Sequence, residues 1–149
     1  MFIIHMPVKY INLSSLSANP QYKATMTDAE LYESLIINNN KFKKNNLIKI
    51  MLIKINLGPL PVTLQYDTSQ RYEFIVKNQT GREIWRWSKD KFFTPIAESI
   101  TLNSGESKVY SVIWNIPKEI ESGFYIVEGW NAAKELKQIK FSMPVTIIP

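Results

Sequence analysis

The chain has 149 residues, 45% hydrophobic and 21% charged, which supplies one packed core and is too apolar for a disordered segment. It has no cysteine, which excludes disulfides, thiolate metal sites and a cysteine nucleophile, and fits a reducing cytoplasm. The net charge of +5 is dispersed rather than gathered on one face, which disfavours nucleic acid, and no run approaches the ~18 apolar residues of a membrane span.

Residues 1–30 come before the first clear pattern and are expected to form an arm or an edge segment, with one domain running from 31 to 149. Thr27 and Glu30 have capping-box spacing, so ELYESLII could open a short helix; a strand from Leu31 to Ile37 is favoured. NNNKFKKNN, with Lys41, Lys43 and Lys44, reads as a solvated turn. In LIKIMLIKINL, Ile48, Ile50 and Leu52 share a face and Ile53 and Ile55 the other, so the apolar phase slips near Leu52; either a bulge sits there or both faces are covered.

LGPLP breaks that strand, and VTLQYD and RYEFIVKN follow, separated by a reversal at TSQ. NQTG supplies a hairpin turn into REIWRWS, where period two sends Trp85 and Trp87 to one face and Arg82 and Arg86 to the other. After KDKFFTPIAE come SITLN, the turn SGE, and SKVYSVIWN, in which Tyr110, Val112 and Trp114 alternate with Val109, Ser111 and Ile113. IPKEIESG then leads to GFYIVEGWN and a final QIKFSMPVTII. Seven or eight strands without a confident helix predict an all-β protein of two packed sheets.

Catalytic chemistry finds little support in these residues. His5 is the only histidine, the five glycines lie at separate turns, and no Asp-x-Asp loop is present, so neither enzyme nor cofactor nor metal is expected. Glu73, Glu83 and Glu128 fall at positions where alternation predicts solvent. Trp85 and Trp87 beside arginines could stack bases, but a chain without disulfides must hold its sheets together with apolar area, so at least one is placed in the core, together with Trp114. Trp130, near a strand end, is left to the surface.

Four motifs occur together. Gln70, Tyr72, Glu73 and Phe74 form a Q-x-Y-D/E-F strand, and Gly81, Glu83, Ile84, Trp85, Arg86, Trp87 and Ser88 a G-x-E-V/I-W-R-W-S strand. Lys91 and Phe92 follow, then Gly105, Glu106, Ser107, Tyr110 and Trp114 in a GES-x-x-Y-x-x-x-W strand. Over roughly residues 47 to 131 the chain resembles the BsuPI family of intracellular proteinase inhibitors. It departs from the pattern in its stretch before Leu31 and in Glu73, where aspartate is common. The resemblance implies an immunoglobulin-like β-sandwich that binds and inhibits an intracellular serine protease of the subtilisin-like kind, with Tyr72, Phe74, Trp85, Trp87, Tyr110 and Trp114 mainly structural. A non-inhibitory protein-interaction module on the same fold is the alternative, and a carbohydrate- or nucleic-acid-binding module the third.

A substrate-like inhibitor needs an extended, exposed and rigid loop. The connections at 88–98 and 116–123 have the length, and the first is preferred because Lys89, Lys91, Phe92 and Phe93 offer side chains to a specificity pocket and Pro95 restricts the backbone, with Thr94 completing the candidate binding loop. The plainer expectation is that Phe92 or Phe93 plugs the end of the sandwich. Pairing through an edge strand is a further route to a partner.

Overall fold

A computed structural model describes residues 19–149. His5 and the VKYINL stretch lie outside the described residues. The elements in chain order are β1 (Gln21–Met26), β2 (Leu31–Ile37), β3 (Lys41–Lys43), β4 (Leu47–Asn56), β5 (Val62–Tyr66), β6 (Tyr72–Asn78), β7 (Glu83–Arg86), a single 3-10 turn (Trp87–Asp90), β8 (Glu98–Leu102), β9 (Ser107–Asn115), β10 (Gly123–Asn131) and β11 (Phe141–Ile148). One sheet has the order β1-β2-β4-β9 and the other β3-β11-β10-β6-β7, while β5 and β8 pair apart from both. The described chain is thus an all-β sandwich with eleven strands rather than seven or eight. The segments not read as strands are short or marginal, β1 on the edge and three-residue β3; β5 and β8 fall on runs the sequence does show, but they pair with each other as a ribbon of their own.

Alternation builds the core. Leu35, Ile37, Ile48, Ile50, Leu52, Val112 and Trp114 face Phe74, Val76, Tyr125, Val127, Met143, Val145 and Ile147 across the sandwich. Gly129 makes room for the Phe74 ring of the neighbouring strand and for Leu35 of the facing sheet, which would lie 2.8 Å and 3.0 Å from a methyl group there. A second cluster, Leu31, Leu64, Tyr66, Leu102, Ala133 and Leu136, seals one end beneath the β5–β8 ribbon.

Several expectations are resolved by pairing. The phase slip near Leu52 is not a bulge: β4 pairs in unbroken register with β2 and β9, and Met51, Ile53 and Ile55 are buried on its second face. Thr27 and Glu30 belong to the β1–β2 turn, where Glu30 N–H donates to the Thr27 carbonyl and Leu31 N–H to Thr27 Oγ1, and Leu31–Ile37 is a strand as favoured. Residues 41–43, read as a solvated turn, form β3 in parallel with β11; Lys41 and Lys43 face water while Phe42 is buried. The TSQ reversal makes no hairpin, because β5 leaves to pair with β8 and β6 joins β10.

Candidate functional site: a pinned loop between the 3-10 turn and β8

The site is rooted in the β6–β7 hairpin. Asn78 Oδ1 accepts hydrogen bonds from the Thr80 and Arg82 N–H groups and from Thr80 Oγ1, and Gly81 takes φ +87°, so the chain reverses tightly at NQTG. A register shift at Val76/Lys77 then brings Trp85 opposite Val76 and Arg86 opposite Ile75. The strand predicted through REIWRWS stops at Arg86, and Trp87 opens the 3-10 turn.

Both tryptophans are half-buried against the main core. Trp85 stacks with Trp114 at 5.8 Å between ring centroids; Trp87 packs on Tyr72 at 4.3 Å, and Tyr72 stacks on Tyr110 at 4.5 Å. Such aromatic pairs contribute roughly 0.5–1.5 kcal/mol each beyond area burial. Phe74 is fully buried. Trp130 is half-buried, with the Lys140 ammonium 4.5 Å above its ring.

Glu73 corrects an expectation. Alternation places it on the outward face of β6, yet it is buried, 4% exposed, because the chain folds back over it after Trp87. Its carboxylate accepts hydrogen bonds from the backbone N–H groups of Phe74 (3.0 Å) and Ser88 (3.2 Å), the Ser88 hydroxyl, the Gln70 amide (3.2 Å) and the Arg86 guanidinium (3.1 Å). Four motif residues, Gln70, Arg86, Ser88 and Phe74, therefore converge on the fifth. A buried carboxylate is tolerated only when satisfied in this way. Arg86 also holds Glu83 at 2.7 Å, which pulls the Glu83 carboxyl below its usual range. Glu83 lies at the surface as expected, whereas Glu128 is half-buried between Lys77 (2.7 Å) and the Ser142 hydroxyl (2.9 Å).

From this root the chain runs out as residues 91–97 without regular structure, all exposed except Phe93. Ser69 N–H donates to the Thr94 carbonyl (3.0 Å), and Thr94 N–H donates to Ser69 Oγ (2.8 Å). Phe93 packs against Trp87 at 5.9 Å. Lys91 donates its N–H to the Ser88 carbonyl, pairs with Asp90 (3.1 Å) and lies over the Trp87 ring. At the far end Arg71 pairs with Glu98, donates to the Thr68 carbonyl (2.8 Å) and sits 4.4 Å over Tyr66. Phe92, between these fixings, is 102% exposed; Lys89, Thr94 and Pro95 are exposed too. Of the two phenylalanines only Phe93 packs on the body, against Trp87; Phe92 covers nothing. The connection at 116–123 is different: Ile116 is buried, Ile120 packs on the core and its N–H donates to the Pro117 carbonyl, so that segment is turned and tied down.

Sequence reasoning passed over a second polar group, held between the two apolar clusters. Lys54 donates to Tyr66 Oη (2.7 Å) and Asn131 Oδ1 (3.2 Å), and Asn131 donates to Glu33, whose other oxygen has no partner. Burial raises Glu33 to about 7 and lowers Lys54 to about 8, outweighing their mutual attraction. The signal was present in the phase of β4, where Lys54 follows Ile48, Ile50 and Leu52 on the inward face. Among the described residues no group of three His, Asp or Glu side chains is placed to hold a metal ion, and no helix is long and apolar enough to cross a membrane.

The family described as BsuPI, intracellular proteinase inhibitor, matches residues 35–136. No curated protein matches the chain in sequence. Among solved structures, a β-glucosidase from Listeria innocua in complex with glucose is 12% identical with a TM-score of 0.46, covering 88% of this chain and 16% of its own. A β-glucosidase from Erythrobacter marinus is 10% identical with a TM-score of 0.43, over 87% of this chain and 16% of its own. A CARDB domain from Pyrococcus furiosus in complex with di-metal ions is 14% identical with a TM-score of 0.42, over 93% of this chain and 95% of its own. This chain thus spans 16% of the length of the β-glucosidases it matches.

Proposed function

Because the chain belongs to the BsuPI family of intracellular proteinase inhibitors, we propose that it inhibits a cytoplasmic serine protease of the subtilisin-like kind by laying residues 91–97 in the protease's substrate cleft. The observation that carries this is Phe92, wholly exposed at the crest of an extended segment whose flanks are hydrogen-bonded to the sandwich at Ser88 and Ser69. A cleft binds an extended chain, and a loop already held in shape loses little conformational freedom on binding, so affinity is retained. Exposed Lys89, Lys91, Thr94 and Pro95 flank Phe92 and complete the contact surface. The protein acts by binding; catalysis of its own has no part in this account.

A stacking role for Trp85 and Trp87, the basis of the carbohydrate- or nucleic-acid-binding alternative, is disfavoured by the rings that already cover them, Trp114 on one and Tyr72 and Phe93 on the other. The proposal is tested by titrating the full chain against a panel of subtilisin-like proteases. Stoichiometric inhibition of at least one at micromolar protein is expected; no slowing of any member contradicts it.

A further inference from the structure

We infer that the reactive bond of this inhibitor is the peptide bond between Phe92 and Phe93, and that its target is a serine protease whose primary specificity pocket is deep and apolar. The inference rests on the inhibitory loop proposed above and assigns its chemistry. Of the loop's side chains, Lys89 sits back in the 3-10 turn and Thr94 is held at its backbone by Ser69, which leaves three that could fill the pocket, and their surroundings separate them. Lys91 is committed to the body of the protein: it is paired with Asp90 at 3.1 Å, its ammonium lies 5.4 Å from the Trp87 ring, and its N–H is bonded to Ser88. Phe93 is half-buried on Trp87. Phe92 touches nothing that would have to be given up, and its ring gains the full transfer free energy when a pocket takes it.

The same geometry explains why such a bond would resist net hydrolysis. In the acylation step the protease serine oxygen attacks the Phe92 carbonyl carbon, the bond to the Phe93 nitrogen breaks, and that nitrogen takes the proton and becomes an amine. In an ordinary substrate the amine diffuses away and water attacks the ester. Here the new amino end belongs to Phe93, whose ring is packed on Trp87 and whose neighbour Thr94 is doubly bonded to Ser69. The amine stays beside the ester, attacks the same carbonyl carbon, expels the serine oxygen with its proton and restores the peptide bond. Held groups react at effective concentrations far above those of free ones, so resynthesis outruns release.

The test uses the full chain with Phe92 replaced by Tyr, Ala or Arg, against one serine protease with an apolar primary pocket and one with an acidic pocket selective for Lys and Arg. We expect Phe92→Tyr to inhibit the first like the wild type, Phe92→Ala to lose about 100-fold, and Phe92→Arg to lose as much there while gaining inhibition of the second, since truncating a central buried anchor costs that order of affinity. Mass spectrometry after prolonged incubation of the wild type should find a single slow cut, with a new amino terminus at Phe93. Equal inhibition by all four proteins, or a cut at another bond, overturns the assignment while leaving inhibition intact. Failure of the wild type to inhibit either protease, or any of the wider panel, removes the underlying function itself. Circular dichroism of each variant should match the wild type, because Phe92 contributes nothing to the core.

Discussion

Ser69 and Thr94 face each other across the base of the exposed loop and exchange two hydrogen bonds, backbone N–H to carbonyl in one direction and backbone N–H to hydroxyl in the other. Ser69 lies on the short link between β5 and β6, so a residue 25 positions away in sequence sets the path of the loop. One of the two bonds depends on a side chain, which makes it separable by mutation.

Ser69→Ala removes the acceptor for the Thr94 N–H and leaves the other bond in place. An exposed hydrogen bond is worth at most about 1 kcal/mol, so the thermal midpoint should fall by no more than a few degrees, while inhibition weakens up to about 5-fold as the loop loosens. Limited proteolysis of the free protein should nick residues 91–97 faster than in the wild type. An unchanged nicking rate would mean the bond does not stiffen the loop.

Glu73→Ala should be far more damaging to stability. It strips a shared acceptor from Ser88, Gln70, Phe74 and Arg86, leaving donors buried without partners, at a cost of about 3 kcal/mol, limited because Arg86 can turn to water. Urea denaturation provides the measurement. A loss below about 1 kcal/mol would contradict the role of this carboxylate as the root of the loop.

Apart from β3, the strands from Leu31 onward were readable from their apolar patterning, and Trp114 lies in the core with Trp85 and Trp87 packed against it, as a chain without cysteine must close its sandwich with apolar area. Glu73 was misplaced for an instructive reason: alternation gave the right face, but whether a face is open depends on what the chain does fifteen residues later, at Ser88. Lys54 carries the same lesson inverted, since its inward phase was visible while its bonded partners, Tyr66 and Asn131, come from other strands, and Glu33, opposite it on β2, is reached through Asn131. The division of labour between Phe92 and Phe93 has no sequence signal, because neighbouring identical residues differ only in which one Trp87 receives.

Gly129→Ala tests the closeness of the two sheets. Its new methyl would meet the Phe74 ring at 2.8 Å and Leu35 at 3.0 Å, both in the centre of the core. Overpacking of this kind costs roughly 1–3 kcal/mol and should lower the thermal midpoint by several degrees. The companion change Phe74→Leu should recover part of the loss, and calorimetry of the pair would show it.

The buried Glu33 and Lys54 pair predicts an unusual pH dependence. Glu33 titrates near 7 when folded against 4.5 ordinarily, so between those values the folded state holds a proton the unfolded chain has released, and this stability declines as pH rises. Lys54 titrates near 8 against 10.5, so over that interval the unfolded chain binds the extra proton and stability recovers as pH rises. The pair therefore imposes a trough between about pH 7 and 8. The double variant Glu33→Gln/Lys54→Met should flatten it and be at least as stable as the wild type at neutral pH, as buried ion pairs replaced together often are. A wild-type advantage that peaks at neutral pH would contradict the cost assigned to burial.

Hydrogen exchange of the protein in complex with a protease it inhibits puts the pinned loop most directly at risk. Amides of residues 91–97 should gain the largest protection on binding, with little change at 116–123 or along β7. Protection confined to either of those regions, with 91–97 exchanging as in the free protein, would contradict the loop's role.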